Sequence, residues 1–201
     1  KNVTVPNRFE VYLCDPSDNK QDFIAWKITD SASCALVKSA NSTFDNSVLA
    51  SLGINYAGIE YTVYNSAGTA VGVLKCNAGG ATNTLTGLDT GTCTVKETKT
   101  NKWFTLDPTP VSVTLASGKT STVKVKNDLV PAKVKIEKKV TPSNLEGSFT
   151  FNFLLTNTAN PAVNYPVSVE VTQDENGELT GSAEVSVLPG TYTCAELPPQ
   201  G

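Results

Sequence analysis

The 201-residue chain contains no histidine. That removes imidazole acid–base catalysis, the Ser-His-Asp and Cys-His arrangements, and every zinc site that depends on imidazole. No apolar run approaches the length needed to cross a bilayer, so no membrane partner is expected. A signal peptide is also missing, which fits a mature or excised piece. Basic clusters are lacking and the net charge is only −3, arguing against nucleic acid as a partner. None of the five cysteines stands in a C-x-x-C pair, which excludes a zinc knuckle or a thioredoxin-like site. No cofactor or metal is expected.

No segment reads as a long amphipathic helix. Instead Thr, Val, Asn, Ser and Gly dominate, a composition that suits an all-β fold. Short alternating runs read as strands at Cys34–Lys38, Ile59–Tyr64, Val71–Cys76, Thr82–Leu85, Cys93–Glu97, Val111–Leu115 and Thr122–Lys126. Turn chemistry separates them, as in Asn65-Ser-Ala-Gly68 and Asn77-Ala-Gly-Gly80. This spacing predicts a β-sandwich over residues 34–130. After the compact linker Lys126–Pro131 the pattern restarts over 131–201, with strands at Val134–Lys138, Ser148–Leu155, Val167–Thr172, Leu179–Val187 and Thr191–Glu196. That second sandwich reads as incomplete unless strands come from elsewhere.

Residues 1–33 form an N-terminal segment outside this repeat, with strands expected at Phe9–Cys14 and Phe23–Thr29. Val3-Thr-Val-Pro-Asn7 echoes Val123-Lys-Val-Lys-Asn127, so the segment is either an extension or the end of a preceding domain. A bolder alternative has it complete the second sandwich of another molecule by strand addition.

Two stretches a hundred residues apart carry the chemistry. Gly91-Thr-Cys-Thr-Val-Lys-Glu97 recurs as Gly190-Thr-Tyr-Thr-Cys-Ala-Glu196. Side chains alternate across a strand, so Glu97 shares a face with Cys93 and Val95, and Glu196 with Tyr192 and Cys194. A glutamate on a core-facing side is expensive to bury unless something there needs it. Enzyme readings find no support: acidic pairs such as Asp174/Glu175 sit in turns, and no two carboxylates assemble a cleft. The loop Asp174–Glu178 is an incomplete calcium pattern.

Taken in order, Ala57–Tyr64, Leu85–Gly91, Thr92–Lys99, Leu106-Asp-Pro, Val111–Leu115 and Val123–Asn127 resemble the collagen-adhesin B-type and SpaA-type pilin domains of Gram-positive surface proteins. The resemblance covers residues 34–130 well and 132–201 more loosely. It implies tandem immunoglobulin-like or prealbumin-like β-sandwiches in a pilus shaft or adhesin stalk. Location would be extracellular, at the cell wall or pilus, with other pilin or surface-protein subunits as partners. An adhesive tip that recognises a host glycan or matrix protein is the alternative, built from residues 1–33 and the loop Ser39–Tyr56.

Many such domains form an intramolecular amide between a first-strand lysine and a last-strand asparagine, assisted by an acid. An apolar site favours the neutral, nucleophilic amine, and a neighbouring carboxyl polarises the carboxamide and moves protons as ammonia leaves. Enclosure supplies the effective concentration. The resemblance assigns Glu97 as the acid, Asn127 as the amide and Lys38 as the amine, with Lys27 as rival to Lys38. In the second domain Lys138 and Glu196 match, but no last-strand asparagine follows. The reaction would be single-turnover and self-directed, so no enzyme in the ordinary sense is expected. Disulfides are expected between Cys76 and Cys93, across a short Gly-rich stretch, and between Cys14 and Cys34, leaving Cys194 over; Cys14 with Cys194 stays open. Leu197-Pro-Pro-Gln-Gly201 resembles a sortase signal with glutamine in place of threonine, and is read as a loop.

Overall fold

A computed structural model describes residues 9–14, 21–26, 31–141 and 146–198. The chain groups into two compact units. Unit 1 comprises the chain up to Ser39, Tyr56–Asn101 and Leu106–Lys126; unit 2 comprises Ala40–Asn55, Lys102–Thr105 and the chain from Asn127 onward.

In unit 1, β1 (Phe9–Cys14) and β2 (Gln21–Trp26) form an antiparallel hairpin from Phe9↔Trp26 to Cys14↔Gln21. A four-stranded sheet has the order β5-β4-β7-β8, from β4 (Glu60–Tyr64), β5 (Ala70–Lys75), β7 (Gly91–Lys99) and β8 (Val111–Leu115). A three-stranded sheet has the order β6-β3-β9, from β3 (Ser31–Ala40), β6 (Leu85–Asp89) and β9 (Thr120–Asn127). Contacts from Ser33 N to Lys119 O and from Asn41 N to Asn127 O advance equally along both strands, so β3 and β9 run parallel. Strand alternation turns Ala32, Cys34 and Leu36 of β3 inward, together with Tyr61 and Val63 of β4 and Cys93 and Val95 of β7; all are buried.

Most expected strands are present, several extended by one or more residues. The strand expected at Thr82–Leu85 lies instead at β6. Thr82 forms an isolated bridge to Cys76 and exchanges hydrogen bonds with Leu36, and Asn83 then interrupts the ladder by turning its side-chain oxygen to the Lys75 N–H. A short helix in unit 2, α1 (Asn46–Ser51), was not expected. It starts because Asp45 caps it, accepting from the Ser47 and Val48 N–H groups.

Unit 2 continues with β10 (Ala132–Val140), β11 (Phe149–Asn157), β12 (Asn164–Gln173), β13 (Leu179–Val187) and β14 (Tyr192–Glu196), in sheet order β10-β13-β12-β11-β14. β12 and β13 pair only at Thr172↔Thr180 and Gln173↔Leu179, beside their turn, so the strands part into two layers. Asp174 closes that turn by accepting from the Asn176 and Glu178 N–H groups, which occupies its carboxylate with backbone. Between the layers lie Ile136, Phe153, Leu155, Val167, Val169, Val171, Leu179 and Val187. The layers β12-β11-β14 and β10-β13 repeat the connectivity of β5-β4-β7 and β3-β6 in unit 1. Among the described residues, no strand pairs with the outer edge of β10 or of β14.

Leu155 is buried among these apolar neighbours. Leu155→Ala is expected to cost about 2–5 kcal/mol through lost burial and the cavity it leaves. A lowered urea midpoint, followed by circular dichroism, checks this.

Candidate functional site

The inward alternation of β3 that buries Cys34 and Leu36 carries Lys38 into the same interior, where its side chain is 0% exposed. On β7 the sequence Cys93, Val95, Glu97 does the same, leaving Glu97 2% exposed. The two meet: Lys38 Nζ lies 3.7 Å from Glu97 Oε1. Lys38 Nζ also donates to the Tyr61 hydroxyl at 2.8 Å and sits 5.5 Å from the centre of that ring. The other carboxylate oxygen, Oε2, accepts from the Asp107 N–H at 3.1 Å, which docks the Leu106-Asp107-Pro108 segment onto the acid.

Behind the lysine, the Lys38 N–H donates to Gly80 O at 2.8 Å. Gly80 has φ +92°, and a Cβ there would stand 2.3 Å from the Lys38 carbonyl oxygen. Only glycine fits this approach. The Asn77–Gly80 turn thus braces the backbone that presents the amine.

Asn127 is the last residue of β9, on the same side as the buried Val123, and is 4% exposed. Its Nδ2 donates to Thr105 O at 2.7 Å, and its main-chain oxygen accepts from Asn41 N–H at 2.7 Å, three residues beyond Lys38. Lys27 lies outside the described residues.

Burial is the leading effect on the Lys38 amine and lowers its pKa; the charges of Glu97, Cys76 and Asp107 oppose it. Burial likewise raises the Tyr61 phenol, reinforced by Glu97, so Tyr61 stays a neutral hydroxyl. The Cys76 thiol is pushed up to about 11 by burial, with the Lys38 charge acting the other way. Sequence reasoning missed Tyr61 and Cys76 as neighbours of the site. Tyr61 was legible through alternation, since it shares a β4 face with Val63.

In unit 2, Lys138 Nζ donates to Glu196 Oε2 at 2.7 Å and lies 4.6 Å from the Phe151 ring centre. The pair expected from sequence does meet, but its side chains are 23% and 44% exposed. The expected burial of Cys194 and Glu196 is not found: both are exposed, and among the described residues β14 is an edge strand paired with β11. A second buried asparagine, Asn157 of β11, stands opposite Tyr192, four positions along the ladder from Phe153↔Glu196. Its Oδ1 accepts from the Ala159 and Asn160 N–H groups, a loop-closing role.

The expected disulfides are not formed. Cys34, Cys76, Cys93 and Cys194 are free thiols. Cys76 follows β5 and Cys93 lies on β7, with β4 between the two strands. Two strand spacings come to about 9–10 Å, beyond the reach of a disulfide. Their positions also differ along the sheet, since Cys76 N–H bonds Ile59 O whereas Cys93 pairs with Val113. Cys34 faces the interior of unit 1 as a free thiol, so its expected bridge to Cys14 is also unmade; the Cys14 side chain lies outside the described residues.

A depressed folded-state pKa for Lys38 means the unfolded chain binds more protons between the folded and unfolded values. Stability therefore rises with pH across that window and levels off above about 10.4. In the Asn127→Ala chain, whose amine lacks its expected acceptor, urea midpoints are predicted to rise from neutral pH towards that limit. Adding Lys38→Met should remove the part of the rise that Lys38 contributes.

Residues 54–129 match the family described as the SpaA prealbumin-like fold domain, a span that includes Glu97 and Asn127. No curated protein sequence matches the chain. Among solved structures, the Bacillus anthracis TIE protein is similar over 89% of this chain and 30% of its own, at 19% identity and TM-score 0.57. The Bacillus cereus major pilin subunit BcpA aligns over 76% of this chain and 53% of its own, at 17% identity and TM-score 0.42. GBS52, the minor pilin of Streptococcus agalactiae, aligns over 64% and 63%, at 17% identity and TM-score 0.41. This chain therefore spans less than two thirds of each of these three structures. The all-β architecture and its order of strands agree with the prealbumin-like fold of the family that residues 54–129 match.

Proposed function

We propose that the chain is a structural piece of a Gram-positive surface fibre, a pilin subunit or adhesin stalk, stiffened by an amide that it forms within itself. The observation that carries this reading is the Lys38–Glu97 pair, enclosed in an apolar interior, with Lys38 on β3, the strand beside the one that ends in Asn127, and Glu97 on β7 of the other sheet. A buried amine and carboxyl cost stability in an ordinary spacer, but they are the reactants' requirements for amide exchange.

The neutral Lys38 Nζ attacks Asn127 Cγ. An Nζ–Cγ bond forms, the Cγ–Nδ2 bond breaks, and ammonia leaves. Glu97 polarises the carboxamide and carries the proton that the amine gives up to the departing nitrogen. Tyr61 holds Nζ in place through its hydroxyl. The product ties the first strand of the sandwich to its last. Tension on the termini then loads a covalent bond in addition to the hydrogen-bonded ladder.

We place the domain boundaries at 34–130 and 131–201, with a further cross-link at Lys138 and Glu196 requiring an asparagine on a strand beside β10. Other subunits of the same fibre are the partners, outside the cell. Adhesion through the Ser39–Tyr56 segment is disfavoured by its packing: Leu49, Ile54 and Tyr56 are buried and Phe44 is half-buried, which leaves no exposed aromatic there.

Tryptic digestion of the purified chain is expected to yield a branched peptide that joins Lys38 to Asn127. Glu97→Gln and Lys38→Ala should each abolish it, and Tyr61→Phe should slow its appearance after refolding. Separate, unlinked Lys38 and Asn127 peptides from the unaltered protein would refute the reading.

A further inference from the structure

Cys34 of β3 and Cys93 of β7, on opposite sheets of unit 1, were not paired by sequence reasoning. β8 runs antiparallel to β7, the turn at Ala116–Lys119 reverses the chain into β9, and β9 runs parallel to β3. β3 and β7 therefore share a direction in opposite sheets. Lys38 of β3 meets Glu97 of β7. Stepping back four residues on each strand keeps the inward face and places Cys34 opposite Cys93, with Leu36 and Val95 between. Both thiols are buried. The thiolate charge of Cys93 acts on Cys34, as it must when the two are near, and burial raises the pKa of each.

Side-chain size favours closure at this end. Lys38, Glu97 and Tyr61 prop the sheets apart at the site, whereas Ala32, Cys34 and Cys93 are short. Packed sheets stand about 10 Å apart on average, and a disulfide needs its Cα atoms within about 7 Å, so the strands must close by a few ångströms.

We propose that Cys34 and Cys93 form an inter-sheet disulfide joining β3 to β7. The two S–H bonds release two protons and two electrons, the Sγ–Sγ bond forms, and an oxidant of the disulfide class is reduced to two thiols. Because both thiols are enclosed and poorly ionised, exchange proceeds while the chain is folding or opened. The bond closes a loop that contains β4, β5 and β6, so it constrains the unfolded chain strongly. It does not depend on the proposed amide: the disulfide can be present with the amide absent, and the reverse.

The full chain is unfolded in dithiothreitol and refolded with oxidised and reduced glutathione. It is then denatured, alkylated with iodoacetamide and digested without reduction. The expected result is a peptide linking Cys34 to Cys93, with Cys76 alkylated, and a melting temperature about 5–10 °C above that of the reduced protein. Cys34→Ala and Cys93→Ala should each lose both the linked peptide and the redox-dependent shift. Full alkylation of Cys34 and Cys93 in the refolded protein overturns the proposal. So does a linked peptide that pairs Cys34 with Cys14, or Cys93 with Cys76.

Discussion

An amine and a carboxyl held side by side in an apolar interior constrain the rest of unit 1. Removing either ion from water costs several kcal/mol, and an apolar pair of similar volume would be the cheaper core. The surrounding structure lowers that cost without abolishing it. Tyr61 accepts from the amine, the Asp107 N–H donates to the carboxylate, and Gly80 lets a turn press against the Lys38 backbone. Three separated stretches of sequence thus converge on two polar side chains.

On the proposed reading, the topology gives this pair a mechanical role. β3 opens the sandwich and β9 closes it, and the two lie side by side and parallel. In that arrangement a longitudinal pull loads the hydrogen bonds between them together in shear, and separation needs all of them to break at once. A covalent bond from Lys38 to the end of β9 would add a link that hydrogen-bond rupture alone cannot release. Unit 2 repeats the lysine–glutamate pairing in a partly solvated setting. There Lys138 and Glu196 form an ordinary ion pair, and the outer edge of β10 carries no partner strand among the described residues.

Alternation made the strands and the site faces legible from sequence. Cys34, Leu36 and Lys38, and Cys93, Val95 and Glu97, could be placed on inward faces because the strand period is two. The family resemblance then selected which lysine and which asparagine to set beside Glu97. Pairings across sheets were less accessible. The Cys76–Cys93 expectation followed closeness in sequence and failed because β4 lies between their strands. The enclosure of Glu97 and the exposure of Glu196 could not be told apart either, since both stretches read alike and the difference comes from the strands that cover them. The Asp45-capped helix was missed because one turn of helix leaves no periodic signal.

The most direct test of the central claim is the intact mass of the denatured, fully reduced chain. The account predicts a protein lighter than its sequence by one ammonia, and restoration of the full sequence mass in Glu97→Gln. A mass equal to that of the unmodified sequence in the unaltered protein would contradict it.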